Sequence, residues 1–431
     1  MNKHFISIVT MMIAVAVISA ADVSAQNLKE LLPELLQTHD LIKAYQERHT
    51  MAEHLLRQKT ADYHPSLNLS TDAGYQAMER EYLKDTDMWR AYFNLRGTQL
   101  ITDFGLTSDT IGKSQVVLDR SEHEFETVKQ QALIQGITAY IGVIRSRKRL
   151  KYARDSEKNI KKQTNMEDAR LKKGAGLASD VLQAKAYLAR AQALRVRYLG
   201  AEINSRSRFH SVFKKNLSAA DSQNMRLPAL PSDQLPASLE EALRRAREHN
   251  PRILMEKLGA EIAQKELGIR KAVSRPKLQL FAEATLREND DGNEGYKNDI
   301  SAGAELTFNL YHGGGDRAAI RAATSNLSAA KSDINNTRRL IEEEVRIAWQ
   351  NLITLGETVA VRDNQSEIIA AFLKLARRER KIGTRSLLDV LNGEVTYINA
   401  VSDAIAAKAD ERTAAFNLLY TIGELQPDMF D

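Results

Sequence analysis

The sequence predicts an α+β membrane protein in which two similar halves each combine a β-hairpin with a long helical hairpin. Three observations predict it. Similar phrases recur at a nearly constant distance, four segments alternate apolar and polar residues, and the tracts that follow have the 3.6-residue period of helices. The 431 residues are 43% apolar and 27% charged with few aromatics, which favours long amphipathic helices over a globular core.

The N-terminal segment has the features of a secretory signal peptide. Lys3 precedes an apolar stretch, and Val23-Ser24-Ala25 fits the small-x-small cleavage rule, so we predict a signal peptide over residues 1–25. A retained membrane anchor is the alternative, but the apolar stretch is short for a spanning helix. Cysteine is absent, which excludes disulfides, thiolate metal sites and a lipid-modified cysteine.

An internal duplication follows from three landmarks. Pro276 lies 211 positions after Pro65, "NLYHGGG" lies 210 after "QLITDFG", and "IGTRSLLDVL" lies 209 after "KGAGLASDVL". We therefore predict a first repeat over 26–227, a proline-rich linker over 228–237 and a second repeat over 238–431. Ser238 and Glu241 are predicted to form a capping box at the start of the second repeat.

Each repeat opens its β-hairpin after a proline, and the hairpins are predicted over 66–101 and 277–310. Strands of about eleven residues tilted by about 40° rise roughly 25 to 28 Å, the apolar height of an outer-membrane barrel. Four strands cannot close on themselves, and lipid does not tolerate open sheet edges. The chain must therefore pool its strands with copies of itself, and this arithmetic leaves two, three or four copies open.

The helical tracts are too long for a globular domain. A helix from about 106 to 172 would be roughly 100 Å long. Each repeat is predicted to form a helical hairpin, with tips near 174–180 and 383–389. In the first half a seam is predicted at Leu133, Ile137, Tyr140 and Ile144.

The phrase His312-Gly313-Gly314-Gly315 raises the alternative of an esterase oxyanion hole. That chemistry requires a nucleophile elbow, which the sequence lacks. We interpret the glycines as strand-to-helix turns with positive φ, at Gly105, Gly313, Gly314 and Gly315, with Asp316 or Thr107 near the N-cap. The histidines are scattered, so no enzyme, metal site or cofactor is predicted. The dispersed net charge of +5 gives no support for nucleic-acid binding.

The sequence resembles the TolC family of outer-membrane efflux and secretion channels over essentially all of the mature chain. The resemblance is carried by the duplication, the strand openings at Pro65 and Pro276, the junction from Leu310 to Ile320, and the tip phrase "IGTRSLLDVLNGEVTYINA". It implies a homotrimer whose twelve-stranded barrel in outer-membrane lipid continues into a twelve-helix tunnel across the periplasm of a Gram-negative bacterium. It also implies a periplasmic membrane-fusion adaptor and an inner-membrane pump of the ABC or RND type as partners.

The resemblance further implies which residues act at the tunnel tip. The adaptor-docking tips would be Gly174, Leu177, Gly383 and Thr384. A periplasmic gate would consist of Asp180, Arg385, Asp389 and Asn392. Arg385 matches the arginine that ties the inner hairpin to its neighbour, and Asp180 matches its carboxylate partner. Asn392 stands where many members have a second aspartate, so a cation-attracting ring would be weaker here.

The expected function is that of a passive exit duct in a tripartite efflux pump or a type I secretion system. Two other classes remain as alternatives. A secreted coiled-coil structural protein would have similar helices, and a periplasmic adaptor also has long hairpins. Adaptors, however, carry lipoyl-like domains and a single hairpin rather than two tandem repeats. No residue singled out above selects among drugs, metals and proteins as cargo.

Overall fold

The computed structural model describes residues 27–79, 81 and 85–429. The predicted signal peptide lies outside the described residues. Besides two short 3-10 helices, the described residues form nine α-helices and four strands: α1 (Leu28–Thr38), α2 (Asp40–Thr60), β1 (Ser66–Met78), β2 (Thr86–Thr102), α3 (Leu106–Lys172), α4 (Ala178–Phe213), α5 (Ala219–Asn224), α6 (Leu239–His249), α7 (Pro251–Ala272), β3 (Lys277–Glu288), β4 (Tyr296–Thr307), α8 (Gly315–Lys381) and α9 (Leu387–Ile422).

The four strands form one antiparallel sheet in the order β1-β2-β3-β4. Strand β4 ends at Thr307, whereas the sequence predicted a hairpin reaching residue 310. The reason is that Thr307 pairs with Lys277, the first residue of β3. Pro276 precedes it and has no backbone N–H to extend the ladder. Strands β1 and β4 are the edges of this open sheet.

The helices form a layer that extends away from the sheet. Helices α3 and α8 have 67 residues each, and α4 and α9 have 36 each. At 1.5 Å per residue, α3 is roughly 100 Å long. It packs on α2 and α7 near the sheet and on α4 and α9 farther away, while α8 packs on α7 and then on α9. Along the distal half the order across the layer is therefore α4, α3, α9, α8.

The largest core lies midway along the layer, where α1, α3, α4 and α9 meet. The predicted seam of α3 is confirmed there: Leu133, Ile137, Tyr140 and Ile144 are all buried, together with Phe209 of α4 and Phe416 of α9. Burying side chains of this size stabilises the core by about 1.5–3 kcal/mol each. A smaller cluster of Ile160, Ala184, Ala191, Leu387 and Leu391 joins α3, α4 and α9 near their distal ends.

The start of α6 departs slightly from the predicted capping box. The Ser238 Oγ accepts a hydrogen bond from the Glu241 backbone N–H at 3.2 Å, as expected of an N-cap. The Glu241 carboxylate, however, accepts from the backbone N–H of Ala237 at 2.9 Å rather than from Ser238. In the part of the chain described above, no helix has the length and apolar character needed to cross a membrane.

Candidate functional site

The distal ends of the helical hairpins carry the predicted adaptor-docking residues. Gly174 (φ +75°) and Gly383 (φ +85°) adopt the left-handed conformation in the turns between α3 and α4 and between α8 and α9. No neighbouring atom lies within 4 Å of the position that a Cβ would occupy at either glycine, so backbone conformation rather than crowding favours glycine there. Leu177 is 65% exposed. Thr384 Oγ1 donates to the carbonyl oxygen of Glu379, which closes the second turn.

The predicted gate residues lie near these turns, but one chain does not bring all of them together. Arg385 forms an ion pair with Glu379, and its guanidinium lies 4.0 Å from Asp389. Asp180 lies in the first turn of α4 and has no ion-pair partner among the described residues of the chain. The predicted pairing of Arg385 with Asp180 stays a prediction. Asn392 accepts a hydrogen bond from the Tyr187 hydroxyl, which links α9 to α4.

Two buried carboxylates near the tip were missed by the sequence analysis. Glu167 of α3 is 6% exposed and forms ion pairs with Arg380 of α8 and with Arg170 on its own helix. Glu394 of α9 is 1% exposed and accepts a hydrogen bond from Arg377 Nε of α8 at 2.8 Å. The burial of Glu167 could have been predicted from the sequence, because Ala153, Ile160 and Glu167 follow one another at intervals of seven residues on the packed side of α3.

Burial dominates the electrostatics of Glu394. Desolvation raises the pKa of this carboxyl above its usual range, and hydrogen bonds from Arg377 and Asn159 counteract that rise only in part. Because Asn159 belongs to α3, Glu394 connects α8, α9 and α3. Near the tip, the α8/α9 hairpin is therefore attached to α3 by Glu394–Asn159 and Glu167–Arg380.

The junctions between strands and helices contain the predicted turn glycines. Gly105 (φ +112°), Gly313 (φ +60°) and Gly314 (φ +81°) have positive φ, whereas Gly315 is already the first residue of α8. The N-cap positions are Gly105 and Gly314. One orphan amide of α3, that of Thr107, is satisfied by Asp103, which the sequence analysis did not single out: its carboxylate accepts from the backbone N–H groups of Thr107 and of the N-cap Gly105.

One face of the sheet carries paired charges and is called the polar face below. Arg96 of β2 lies 3.3 Å from the Glu283 carboxylate and 3.0 Å from that of Glu305. Gln279 donates to Glu305 at 2.9 Å, and Arg90 pairs with Asp72 at 2.8 Å. These side chains come from all four strands, so charge pairs cross the whole sheet on this face.

The opposite face of the sheet, called the apolar face below, is exposed and uncharged over its middle. Strand register aligns Leu69 with Leu95, Thr71 with Phe93 and Tyr75 with Trp89. Its most exposed members are Leu67, Trp89, Tyr296 and Ile300, at 71–89%. Tyr75 and Trp89 make an edge-to-face contact with centroids 5.7 Å apart near the hairpin tips. Aromatic residues at the end of an apolar band are typical of a membrane interface.

Comparison with known proteins identifies a family. The family model for outer membrane efflux proteins matches residues 31–208 and 242–424, one segment in each half of the chain. The outer membrane efflux protein BepC of Brucella suis is 26% identical over 338 residues, which cover 77% of this chain and 71% of BepC. The alkaline protease secretion protein AprF of Pseudomonas aeruginosa is 23% identical, over 73% of this chain and 65% of AprF.

The fold is similar to that of solved outer-membrane channels. The CmeC outer membrane channel of Campylobacter jejuni superposes with a TM-score of 0.80 at 15% identity, covering 94% of this chain and 87% of CmeC. The family model spans well over half of the chain, and the sheet has one apolar and one charged face. The chain therefore belongs to the outer membrane efflux protein family.

Proposed function

We propose that three copies of this outer-membrane channel close into a twelve-stranded barrel that continues into a twelve-helix tunnel. The observation that supports the proposal is that the sheet and the helical layer each end in edges that have no partner within the described chain. In the sheet, β1 and β4 each have a free edge. Such edges expose backbone N–H and C=O groups that lipid cannot satisfy, so β1 of one copy pairs with β4 of the next.

The helical layer has matching free edges. On α8 and its C-cap an exposed row recurs every seven positions and is apolar except at Thr354. Its apolar members are Leu340, Ile347, Val361, Ile368, Leu375 and Ile382. On α4 a shorter row has the same period: Leu182, Ala189, Val196 and Ile203. Seven-residue apolar rows are the signature of coiled-coil packing. Because α4 and α8 lie at opposite edges of the distal layer, α4 of one copy packs on α8 of its neighbour.

The number of copies follows from the size of the enclosed space together with the resemblance to the TolC family. Two copies would give eight strands, and the interior of an eight-stranded barrel is just wide enough for its own side chains. The polar face carries long charged side chains such as Arg96 and Glu305. A conduit needs room beyond them, and three copies supply twelve strands.

The chain is a passive duct in this proposal. It acts as the exit channel of a tripartite efflux pump or a type I secretion system, and an inner-membrane pump of the ABC or RND type supplies the energy. A periplasmic adaptor docks on the turns at Gly174, Leu177, Gly383 and Thr384. We infer that the equal helix lengths in the two halves, 67 and 36 residues, reflect the internal duplication.

The gate lies at the same end of the tunnel. Arg385 of one copy binds Asp180 of its neighbour in the closed state, and Asp389 lies near the pore beside Arg385. Within each copy, Glu167–Arg380 and Glu394–Asn159 hold the inner hairpin against α3. Opening requires the α8/α9 hairpin to swing away from α3, which breaks both contacts.

A disulfide experiment tests the arrangement of copies. The natural chain has no cysteine, so any disulfide that forms must join the introduced cysteines. If Leu182 faces Leu375 of the next copy, antiparallel register places Val196 opposite Val361. The variant Val196→Cys with Val361→Cys should give covalent dimers and trimers on oxidation, with no larger species. The matched variant Val196→Cys with Ile347→Cys, two heptads out of register, should remain monomeric on a denaturing gel. Equal crosslinking by both variants would contradict the proposed packing.

A further inference from the structure

An exposed row of positive charge lies on the distal part of α3. The row consists of Lys151, Arg154, Lys158, Lys161 and Lys162, which are all exposed and are called the basic stripe below. The first four recur every three or four residues, and Lys162 lies four residues after Lys158. This spacing places them along one side of the helix. The buried residues of the same segment, such as Ala153 and Ile160, lie on the other side, where α3 packs on α4 and α9.

The basic stripe is unpaired in the chain. None of its five side chains has an ion-pair partner within the part of the chain that the structure describes. Two acids lie in the same segment: Glu157 points to α4 and binds Arg195 at 2.7 Å, whereas Asp155 lies within the stripe but is not within ion-pair distance of its cations. Elsewhere near the tip, basic residues such as Arg377 and Arg380 do have acidic partners.

The arrangement is unfavourable for the isolated helix. Arg154 and Lys158 are four residues apart, as are Lys158 and Lys162, and like charges at this spacing repel each other. Next to them lies a shallow depression of about 430 Å³ lined by Lys158, Lys161, Lys162, Asn165, Met166 and Ala169. Met166 is 51% exposed. The surface therefore combines unpaired cations with a small apolar floor, and a partner of negative charge would offset the repulsion among the cations.

We propose that the basic stripe binds an acidic α-helix of the periplasmic adaptor, running along α3 behind the docked tip. This inference rests on the proposed function, because the adaptor must first engage the turns. Residues 151–162 lie 12 to 23 positions before Gly174, which at 1.5 Å per residue is roughly 18 to 35 Å from the tip. A helix of about three turns with carboxylates on one face matches the length and sign of the stripe.

The test uses the full chain, expressed in its native host with the adaptor of its own transport system. Lys158→Glu with Lys161→Glu and Lys162→Glu should lower the amount of adaptor that co-purifies with the channel by about tenfold. The milder set Lys158→Gln, Lys161→Gln and Lys162→Gln should lower the amount of co-purified adaptor less than the charge reversal does. It should also weaken the dependence of adaptor binding on ionic strength. The matched control reverses three exposed charges nearer the sheet, Lys43→Glu, Arg57→Glu and Lys331→Glu, and should retain the adaptor as the parent does.

The outcomes separate the inference from the proposed function. If the parent retains no adaptor, the proposed function fails and the inference fails with it. If the parent retains the adaptor and the Lys158/Lys161/Lys162 reversal retains it equally, the proposed function stands and the basic stripe is not the contact. If the reversal changes ion selectivity in planar bilayers while adaptor binding is unchanged, the stripe faces the pore and the inference is wrong.

Discussion

Arg377 of α8 donates a hydrogen bond from Nε to Oε1 of Glu394 of α9 over 2.8 Å, and the Glu394 side chain is 1% exposed. A carboxylate at this depth is costly unless a cation compensates it. Glu394 also receives a hydrogen bond from Asn159 of α3. The pair therefore links α8 to α9 and, through Asn159, to α3, close to the end where the proposed gate lies.

Removing the cation should destabilise the distal hairpins. Arg377→Ala leaves Glu394 buried without its charged partner, and breaking a buried pair in this way costs about 3 kcal/mol. Glu394→Gln should cost less, because a neutral amide is easier to bury. Limited proteolysis of the folded channel measures the effect, with cleavage expected near the α8/α9 turn in Arg377→Ala. Resistance equal to the parent's would show that the pair does not hold the hairpin.

The pH dependence of tip stability should carry the signature of Glu394. Burial raises the pKa of this carboxyl in the folded protein, so the folded state holds its proton to higher pH than the unfolded state does. The contribution of Glu394 to the free energy of unfolding is therefore fully present below its unfolded-state pKa of about 4.3. This contribution is lost as pH rises through the raised folded-state pKa. Thermal unfolding of Glu394→Gln and the parent across this window should show the parent losing stability relative to the variant as pH rises. A difference in stability between parent and variant that does not change with pH would show that Glu394 is not responsible for the pH dependence.

Breaking the proposed contact between copies should open the channel. Asp180→Ala with Arg385→Ala removes an ion pair worth about 1 kcal/mol per copy, or about 3 kcal/mol when three copies act together. Single-channel conductance in planar bilayers should rise above that of the parent. Lys331→Ala, an exposed residue of α8 nearer the sheet, is the control and should conduct normally. Conductance of the double variant equal to the parent's would rule out this contact as the gate.

Neighbouring residues on opposite faces of β4 should respond differently to the same substitution. Ile300 is 89% exposed on the apolar face, and Arg there should cost about 2–4 kcal/mol in the middle of the membrane. Ser301 lies on the polar face opposite Glu283, where Arg meets water and a carboxylate. Heat-modifiable gel migration should show loss of assembled channel in Ile300→Arg and normal assembly in Ser301→Arg. The reverse order would place lipid on the wrong face.

Periodicity predicted the parts of this fold that depend on local geometry. The alternation of Leu67, Leu69 and Thr71 places β1, and the span predicted for the long helix, 106–172, is that of α3. Contacts across helices could not be predicted in this way. The pairing of Glu167 with Arg380 depends on how far α3 and α8 slide past each other, and no single helix encodes that offset. The Asp103 cap was missed because Asp103 lies two residues before the N-cap Gly105, outside the position where a capping side chain is expected.

The most direct test of the account is the mass of the detergent-extracted channel after the detergent is removed during native mass spectrometry. In the proposed assembly, three copies join the free edges β1 and β4 and the apolar rows of α4 and α8 into a closed wall of twelve strands. The predicted result is a single species with three times the mass of the mature chain. A stable monomer or dimer would contradict it.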